Sequence, residues 1–490
     1  MKNSENHNVN GRDDKTTENN TVNGRDSKST RSYLDNLRKN LPRKKTFKVF
    51  EAFAGLGSQR LALERIKKRL NVKFEYVGIA ENNKYASKAY KALHGETKNF
   101  EDIREMDYEN EGDCDVLTWS SPCQSNSASG TQEGFAEGSG TKSAIAWCLR
   151  PFLEAKKKTG KLPLLILFEN VPRTTSGKNA TVFKQFLEMI ESFGYHISWE
   201  IVDSLDYGVA QRRKRVFCVC SLVDIGFEFP KPREGRVYLR DILEKDVSST
   251  YDFHGTCVPE RSYNEASRIM NIHNPSYADH SGTIVAHGPG GCEDYYVFRE
   301  DVGTVPKVRF TKDFLAENNI TKEQVESTQV RTFTELEVMR LMGLNEDEIA
   351  RLQTSGLCKT RMYSALGNSI VVNVLEDIFM EYFSRVLELQ NEVFKDEVEL
   401  KGKLEEIIDL HDQMKGSYFF SPPRFAKSRR RYEEAHSLHT EFQIKGVSYV
   451  VDQKTTCSCR NVYYKMNIFV DGVDTGKDIR LIKKMYKCIA

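Results

Sequence analysis

The sequence has no run of roughly 18 consecutive apolar residues, the length that a helical membrane span requires, and its polar start lacks the apolar core of a secretory signal. A soluble, cytoplasmic protein without a membrane partner is therefore expected. An excess of one charge is also missing. Against 72 Lys and Arg stand 70 Asp and Glu, a formal net charge of +2, so any surface for nucleic acid would have to come from local segregation of charge. The 11 cysteines are odd in number and scattered, with Cys148, Cys218 and Cys220 inside apolar runs. This fits reduced thiols better than a disulfide framework. Cys457 and Cys459 form a single C-x-C pair with no matching pair, so no metal site is expected.

At 490 residues the chain is too long for one ordinary core. Residues 1–45 are polar, with almost no large apolar side chains, and repeat VNGRD at 9–13 and 22–26; they read as a disordered leader. Order begins near Lys48. Val49–Phe53 reads as a strand, Gly55 and Gly57 as a turn, and Leu61, Ala62, Ile66 and Leu70 as a helix stripe. Further apolar runs at Tyr76–Ala80, Val116–Trp119, Leu162–Phe168 and Val216–Cys220 alternate with helix-length stretches at 141–157 and 180–192. That rhythm predicts an α/β fold around a doubly wound sheet buried on both faces. It is lost from 223 to 330, a segment rich in Gly, Pro, His, Tyr and Asn that reads as a separate loop-rich lobe. Helical periodicity returns at Thr334–Met342 and Ile370–Leu389, a charged helix is expected over 390–415, and the last 70 or so residues mix a basic stretch with short strands.

In an open α/β sheet, ligands collect beyond the carboxyl ends of the strands, and four places there carry residues that a core would not choose. Phe53-Ala54-Gly55-Leu56-Gly57, with Glu81 after the second strand and Asp102-Ile103 further on, suits an adenosine cofactor, because glycines let the backbone approach and an acid can hold ribose hydroxyls. Ser121-Pro122-Cys123-Gln124 follows a strand and would hold one thiol over the sheet edge, as a nucleophile or as a small buried hydrophobe. Glu169 ends a very apolar strand. Desolvation should raise its pKa toward that of a proton donor, unless it is only a cap or an ion-pair partner. In Gln211-Arg212-Arg213-Lys214-Arg215, strand periodicity puts Gln211, Arg213 and Arg215 on one face, either as a grip on phosphate or base carbonyl or as a solvated edge.

Together these features resemble the DNA cytosine-5 methyltransferase family of bacterial and phage type, in that family's chain order: FAGLG, PCQ, ENV, QRRKR, Arg331 with Leu341-Met342-Gly343, and Leu366-Gly367-Asn368-Ser369. The resemblance spans about residues 47–385. It implies a Rossmann-like sheet that binds S-adenosyl-L-methionine, made of residues 46–222 and 331–388, with 223–330 as a target-recognition lobe and 389–490 as an extension that contacts DNA or a partner chain. It implies duplex DNA as substrate, an enzyme acting as a monomer, and a cytosine flipped out of the helix. Cys123 would add to carbon 6. Glu169, Arg213 and Arg215 would hold the base, and Phe53, Gly55, Leu56, Gly57, Glu81, Asp102, Ile103 and Asn368 would contact the cofactor. Gln124, Ser127, Gln211 and Thr283 would contact DNA. Lys142 stands where Arg is usual, and Asn126 replaces a commonly apolar residue. Two alternatives stay open, a tRNA-methylating relative on the same scaffold and a non-catalytic binding module.

Overall fold

A computed structural model describes residues 41, 44–123, 134–252, 271–288, 295–301, 307–309, 330–393, 395, 399, 402–409, 437–444, 447–457, 462–470, 473–474 and 482–483. The chain enters through β1 (Thr46–Ala52), α1 (Ser58–Leu70), β2 (Lys73–Ala80) and α2 (Lys84–His94). It continues through β3 (Val116–Trp119), α3 (Leu149–Thr159), β4 (Leu165–Asn170), α4 (Ala180–Glu191), β5 (His196–Asp203) and β6 (Lys214–Ser221). These strands form one six-stranded sheet in the order β2-β1-β3-β4-β6-β5. The pairings from β2 to β4 are parallel, and β6 runs antiparallel to both its neighbours.

Both faces of this sheet are buried, and β1 shows why its sequence is a strand. Phe47 and Val49 point into one core and Phe50 and Ala52 into the other, the period-two alternation of a pleated chain between two helical layers. On one side Phe47 meets Phe383 at 5.0 Å between ring centroids. On the other Phe168 meets Phe186 at 5.0 Å. Each fully buried ring of this kind contributes about 2–3 kcal/mol of transfer free energy. The strand order turns back at β1, since β2 lies on one side of it and β3 on the other. Such a switch point leaves a crevice beyond the carboxyl ends of β1 and β3.

A second sheet, in the order β10-β8-β7-β9, is made of three-residue strands, β7 (Asn271–His273), β8 (Tyr296–Phe298), β9 (Lys307–Arg309) and β10 (Val330–Thr332). Ile272, Tyr295, Val297 and Phe333 join its interior to the first core. The chain then forms α5 (Glu335–Leu341), α6 (Glu346–Gln353), α7 (Lys359–Gly367) and α8 (Val372–Val393). The start of α5 is set by a capping box, Thr334 with Glu337. Arg331 pairs with both oxygens of the same buried Glu337, at 2.7 and 2.9 Å. A third, antiparallel sheet comprises β11 (Ser437–Ile444), β12 (Val447–Cys457), β13 (Val462–Val470) and β14 (Val473–Asp474).

Several expectations need correction. The strand expected at Leu162–Phe168 is Leu165–Asn170, because Pro163 has no N–H for a ladder. The helix expected over 141–157 opens as a 3-10 stretch, Lys142–Cys148, before α3 begins. The edge strand β5 and helices α2, α6 and α7 were not anticipated. The charged segment over 390–415 is helical at every described position, 390–393, 395, 399 and 402–409, as expected, and Leu404 and Ile407 are buried. Of the expected leader 1–45, residues 1–40 and 42–43 lie outside the described residues, but its end is ordered, since Leu41 is buried in the first core and Lys44 pairs with Asp115; the basic stretch 424–431 also lies outside the described residues. No helix among the described residues is long and apolar enough to cross a membrane.

Candidate active site

The loop after β1 meets the loop after β3 across the switch point, and a cleft of about 250 Å³ lies between them. Phe53, Gly55, Glu81, Asp102, Ile103, Cys123, Glu169, Arg213, Arg215 and Asn368 all line it. Ten residues singled out from four separated stretches and the GNS motif are thus gathered into one cavity.

One half of the cleft is built by backbone geometry. Phe53 takes φ 58° and Gly55 φ 58°, and the Phe53 N–H donates to Ala80 O at 2.7 Å. A bulky residue with positive φ is strained, and the strain points the Phe53 ring edge-on at Trp119, 5.4 Å away. A Cβ built on Gly55 meets no atom within 4 Å, so this turn presents bare backbone to open space. The Gly55 N–H donates to one oxygen of Glu81 and the Asn83 N–H to the other, each at 2.8 Å. Burial nevertheless pushes the Glu81 carboxyl up. Asp102 sits after Glu101, another non-glycine residue with positive φ, 59°, and the Arg104 guanidinium holds its carboxyl low. A bare turn, a carboxylate with lone pairs to spare and a second acid further along fit a nucleoside joined to an amino acid.

The other half is built from buried charge. The Arg215 Nε lies 3.3 Å from Glu169 Oε1. Burial pushes the Glu169 carboxyl up, with Arg215 and Arg213 opposing. Burial also raises the Cys123 thiol, Arg215 and Arg213 lower it, and Glu169 raises it further. Asn170 fastens the thiol loop to the end of β4: its Nδ2 donates to Ser121 O at 3.1 Å while its Oδ1 accepts from the Val171 N–H and the Thr174 hydroxyl. From the other side Gln59 Nε2 donates to Ser120 Oγ at 3.1 Å.

Arg213 is engaged differently. Its Nη1 donates to Ile284 O at 2.6 Å, and its Nη2 to Gly367 O at 2.9 Å and Ser369 O at 2.7 Å. Its Nε is buried without a hydrogen-bond partner. Burial and the neighbouring Arg215 push this guanidinium down to about 9. The GNS segment reaches the same place through a 2.6 Å hydrogen bond between Ser58 and Ser369.

Against known families, the model for C-5 cytosine-specific DNA methylases matches residues 47–384. The chain belongs to the C-5 cytosine-specific DNA methylase family. It is an enzyme that methylates carbon 5 of cytosine in DNA with S-adenosylmethionine as cofactor. A relative in sequence is the type II methyltransferase M2.ScrFI of Lactococcus lactis subsp. cremoris, 30% identical over 399 residues that cover 69% of this chain and 99% of the relative. The orphan methyltransferase M.SssI of Spiroplasma monobiae is 30% identical over 263 residues, covering 42% of this chain and 67% of that protein. The solved structure of the Entamoeba histolytica methyltransferase EhMeth superposes with a TM-score of 0.53 at 18% identity, over 72% of this chain and 99% of that one, and so shares the fold.

Within this methylase some expected contacts fall elsewhere. Leu56 is buried in the core, and a Cβ on Gly57 would lie 2.3 Å from His94 Nε2, so both sit a layer behind the cleft lining. Gln211 is fully buried. Its Nε2 donates to Leu341 O at 2.9 Å and its Oε1 accepts from the Ile284 N–H at 2.9 Å. With both ends of the amide engaged inside the protein, Gln211 is a joint between the lobe and α5 instead of a DNA contact. The Thr283 hydroxyl donates to Arg212 O at 2.9 Å, beside the cleft and outside its lining. Gln124 and Ser127 lie outside the described residues. Sequence reasoning gave no role to Asn170, Gln59, Tyr85 or Arg361. Asn170 stood inside a motif already quoted, next to the residue that drew attention.

Proposed function

We propose that Cys123 is the nucleophile of the methyl transfer and that Glu169, Arg213 and Arg215 hold a cytosine flipped out of duplex DNA. The observation that carries this reading is the shared cleft: the only thiol among the described lining residues stands with the buried Glu169 carboxyl and with Arg213 and Arg215, beside a turn shaped for a nucleoside. Carbon 5 of cytosine is a weak nucleophile, so the Cys123 thiolate adds to carbon 6 first and makes carbon 5 electron-rich. Glu169, its carboxyl pushed up by burial, hydrogen-bonds or protonates ring nitrogen 3 and accepts from the exocyclic amine. Arg215 is placed at Glu169 and steadies the charge that develops. Arg213, spent on three carbonyls, positions the lobe, and its unpartnered Nε is the donor it has left. When bound, S-adenosylmethionine supplies the methyl group. Gly55, Glu81, Asp102, Ile103, Phe53 and Asn368 hold and orient it. The carbon 5 proton then leaves and Cys123 is released.

Residues 223–330 are the target-recognition lobe in this reading, with Thr283 as a contact near the base. The enzyme works as a monomer in the cytoplasm, at the nucleoid if its cell is bacterial. The extension after residue 388 adds phosphate contacts through Arg424, Lys427 and Arg429–Arg431, which would strengthen binding without choosing sequence. The test is transfer of labelled methyl from S-adenosylmethionine to duplex DNA and to tRNA in parallel. Label is expected in 5-methylcytosine of the duplex. Faster transfer to tRNA would replace this reading with an RNA-methylating one. Grafting 223–330 from a relative of different specificity should move the methylated site.

A further inference from the structure

Three arginines line the cleft, and they differ in what they already hold. Arg213 is occupied by carbonyls and Arg215 by Glu169. The third, Arg361 on α7, is exposed, and its guanidinium lies over the ring of Tyr85 at 4.2 Å from the centroid. Tyr85 lines the same cleft from α2. Among the described residues no carboxylate or carbonyl pairs with the Arg361 side chain, so its planar fork of donors is held in place by the ring and left open toward the cavity. Along α7, Arg361, Ser364, Ala365 and Asn368 follow the i, i+3, i+4, i+7 pattern of one helix face, and all four line the cleft. The face that carries the GNS asparagine therefore also carries the free cation.

The cofactor has a single anionic group, the carboxylate of its amino-acid portion. The β2 side of the cleft repels that group, because Glu81, Glu101 and Asp102 line it. Arg213 and Arg215 sit beside Cys123 and are taken. Resting on the cofactor cleft assigned above, we propose that Arg361, laid flat on Tyr85, grips the cofactor carboxylate from the α7 wall and sets which way round the molecule lies. A guanidinium pre-oriented by a ring loses little side-chain freedom when it forms a paired hydrogen bond with a carboxylate.

The test compares two ligands by calorimetry on the intact enzyme: S-adenosylhomocysteine, which keeps the carboxylate, and methylthioadenosine, which lacks the amino-acid end. For Arg361→Gln the affinity for S-adenosylhomocysteine should fall about tenfold, the scale of one charge-assisted pair. Its affinity for methylthioadenosine should stay within about twofold, which also reports an intact fold. Arg361→Lys should recover part of the loss, and Tyr85→Leu should reproduce a smaller share of it. Equal loss of both ligands in the Gln variant, or no loss of either, would overturn the assignment. A wild-type enzyme that binds methylthioadenosine but not S-adenosylhomocysteine would overturn it as well. A wild type that binds neither would bring down the cofactor cleft itself.

Discussion

In the reading proposed above, the two halves of the cleft, one for the cofactor and one for the base, solve different problems with different materials. The cofactor half is made of backbone: three positive-φ residues, Phe53, Gly55 and Glu101, and N–H groups that hold Glu81 in place. The base half is made of side-chain charge taken out of water, with Glu169 8% exposed and Arg213 3% exposed. At the two non-glycine residues, Phe53 and Glu101, that conformation costs on the order of 1–3 kcal/mol each, and it creates a shape. Desolvation in the base half moves proton affinities and creates reactivity. Substitutions in the first half should therefore weaken cofactor binding and leave the chemical step alone, and those in the second half should do the reverse.

The largest effect that would sharpen this contrast is that of Glu169→Gln. A neutral amide can keep a hydrogen bond but cannot supply a proton, so the single-turnover rate should drop at least about 100-fold, while S-adenosylhomocysteine affinity stays within about twofold. A rate loss of less than about threefold, under about 0.7 kcal/mol, would reduce Glu169 to a structural acid. Arg215→Ala comes next. Burial already lifts the Cys123 thiol and Arg215 pulls it down, so removing the cation raises it further. Less thiolate is then present at neutral pH, and the rising limb of the pH–rate profile should move to higher pH, with the rate recovering in alkali. A limb that does not move would mean that Cys123 is not the group being titrated. Gly55→Ala is the smallest. At φ 58° an alanine costs about 1 kcal/mol, and its methyl enters the open cleft. Cofactor affinity should fall roughly fivefold with kcat at saturation unchanged, and a fall in kcat alone would break the division between the halves.

The sequence made the switch point legible because its loops carry residues that cores exclude: glycines after β1, a proline-cysteine pair after β3 and a glutamate at the end of a run as apolar as Leu165–Phe168. Period-two burial in β1 and the helix stripe of α1 were readable for the same reason, since each is a local repeat. What escaped was set by tertiary neighbours. His196–Asp203 leaves Trp199 and Ile201 exposed at 47% and 40%, so an edge strand had no buried stripe to announce it. Gln211 and Arg213 share a face as expected, but that face meets Ile284 and the GNS segment, from 71 to 156 residues away in the chain for Arg213, and no local pattern reveals such partners. Gly55 and Gly57 look alike in a turn. Only the packing of His94 and Tyr90 under Gly57 tells the glycine that faces a ligand from the one that faces a helix. Arg361 had no motif around it to mark it, and its significance comes from the ring across the cleft.

The central claim is that Cys123 forms a covalent bond to the base. Duplex DNA carrying 5-fluorocytosine at the target tests it most directly, because fluorine at carbon 5 cannot leave as a proton does and the adduct persists once the methyl has been transferred. With S-adenosylmethionine present, the wild-type enzyme should give a denaturation-resistant protein–DNA complex whose modified peptide contains Cys123, and Cys123→Ser should give none while still binding S-adenosylhomocysteine. A complex that forms equally with the serine variant, or one that maps to another residue, would contradict the account.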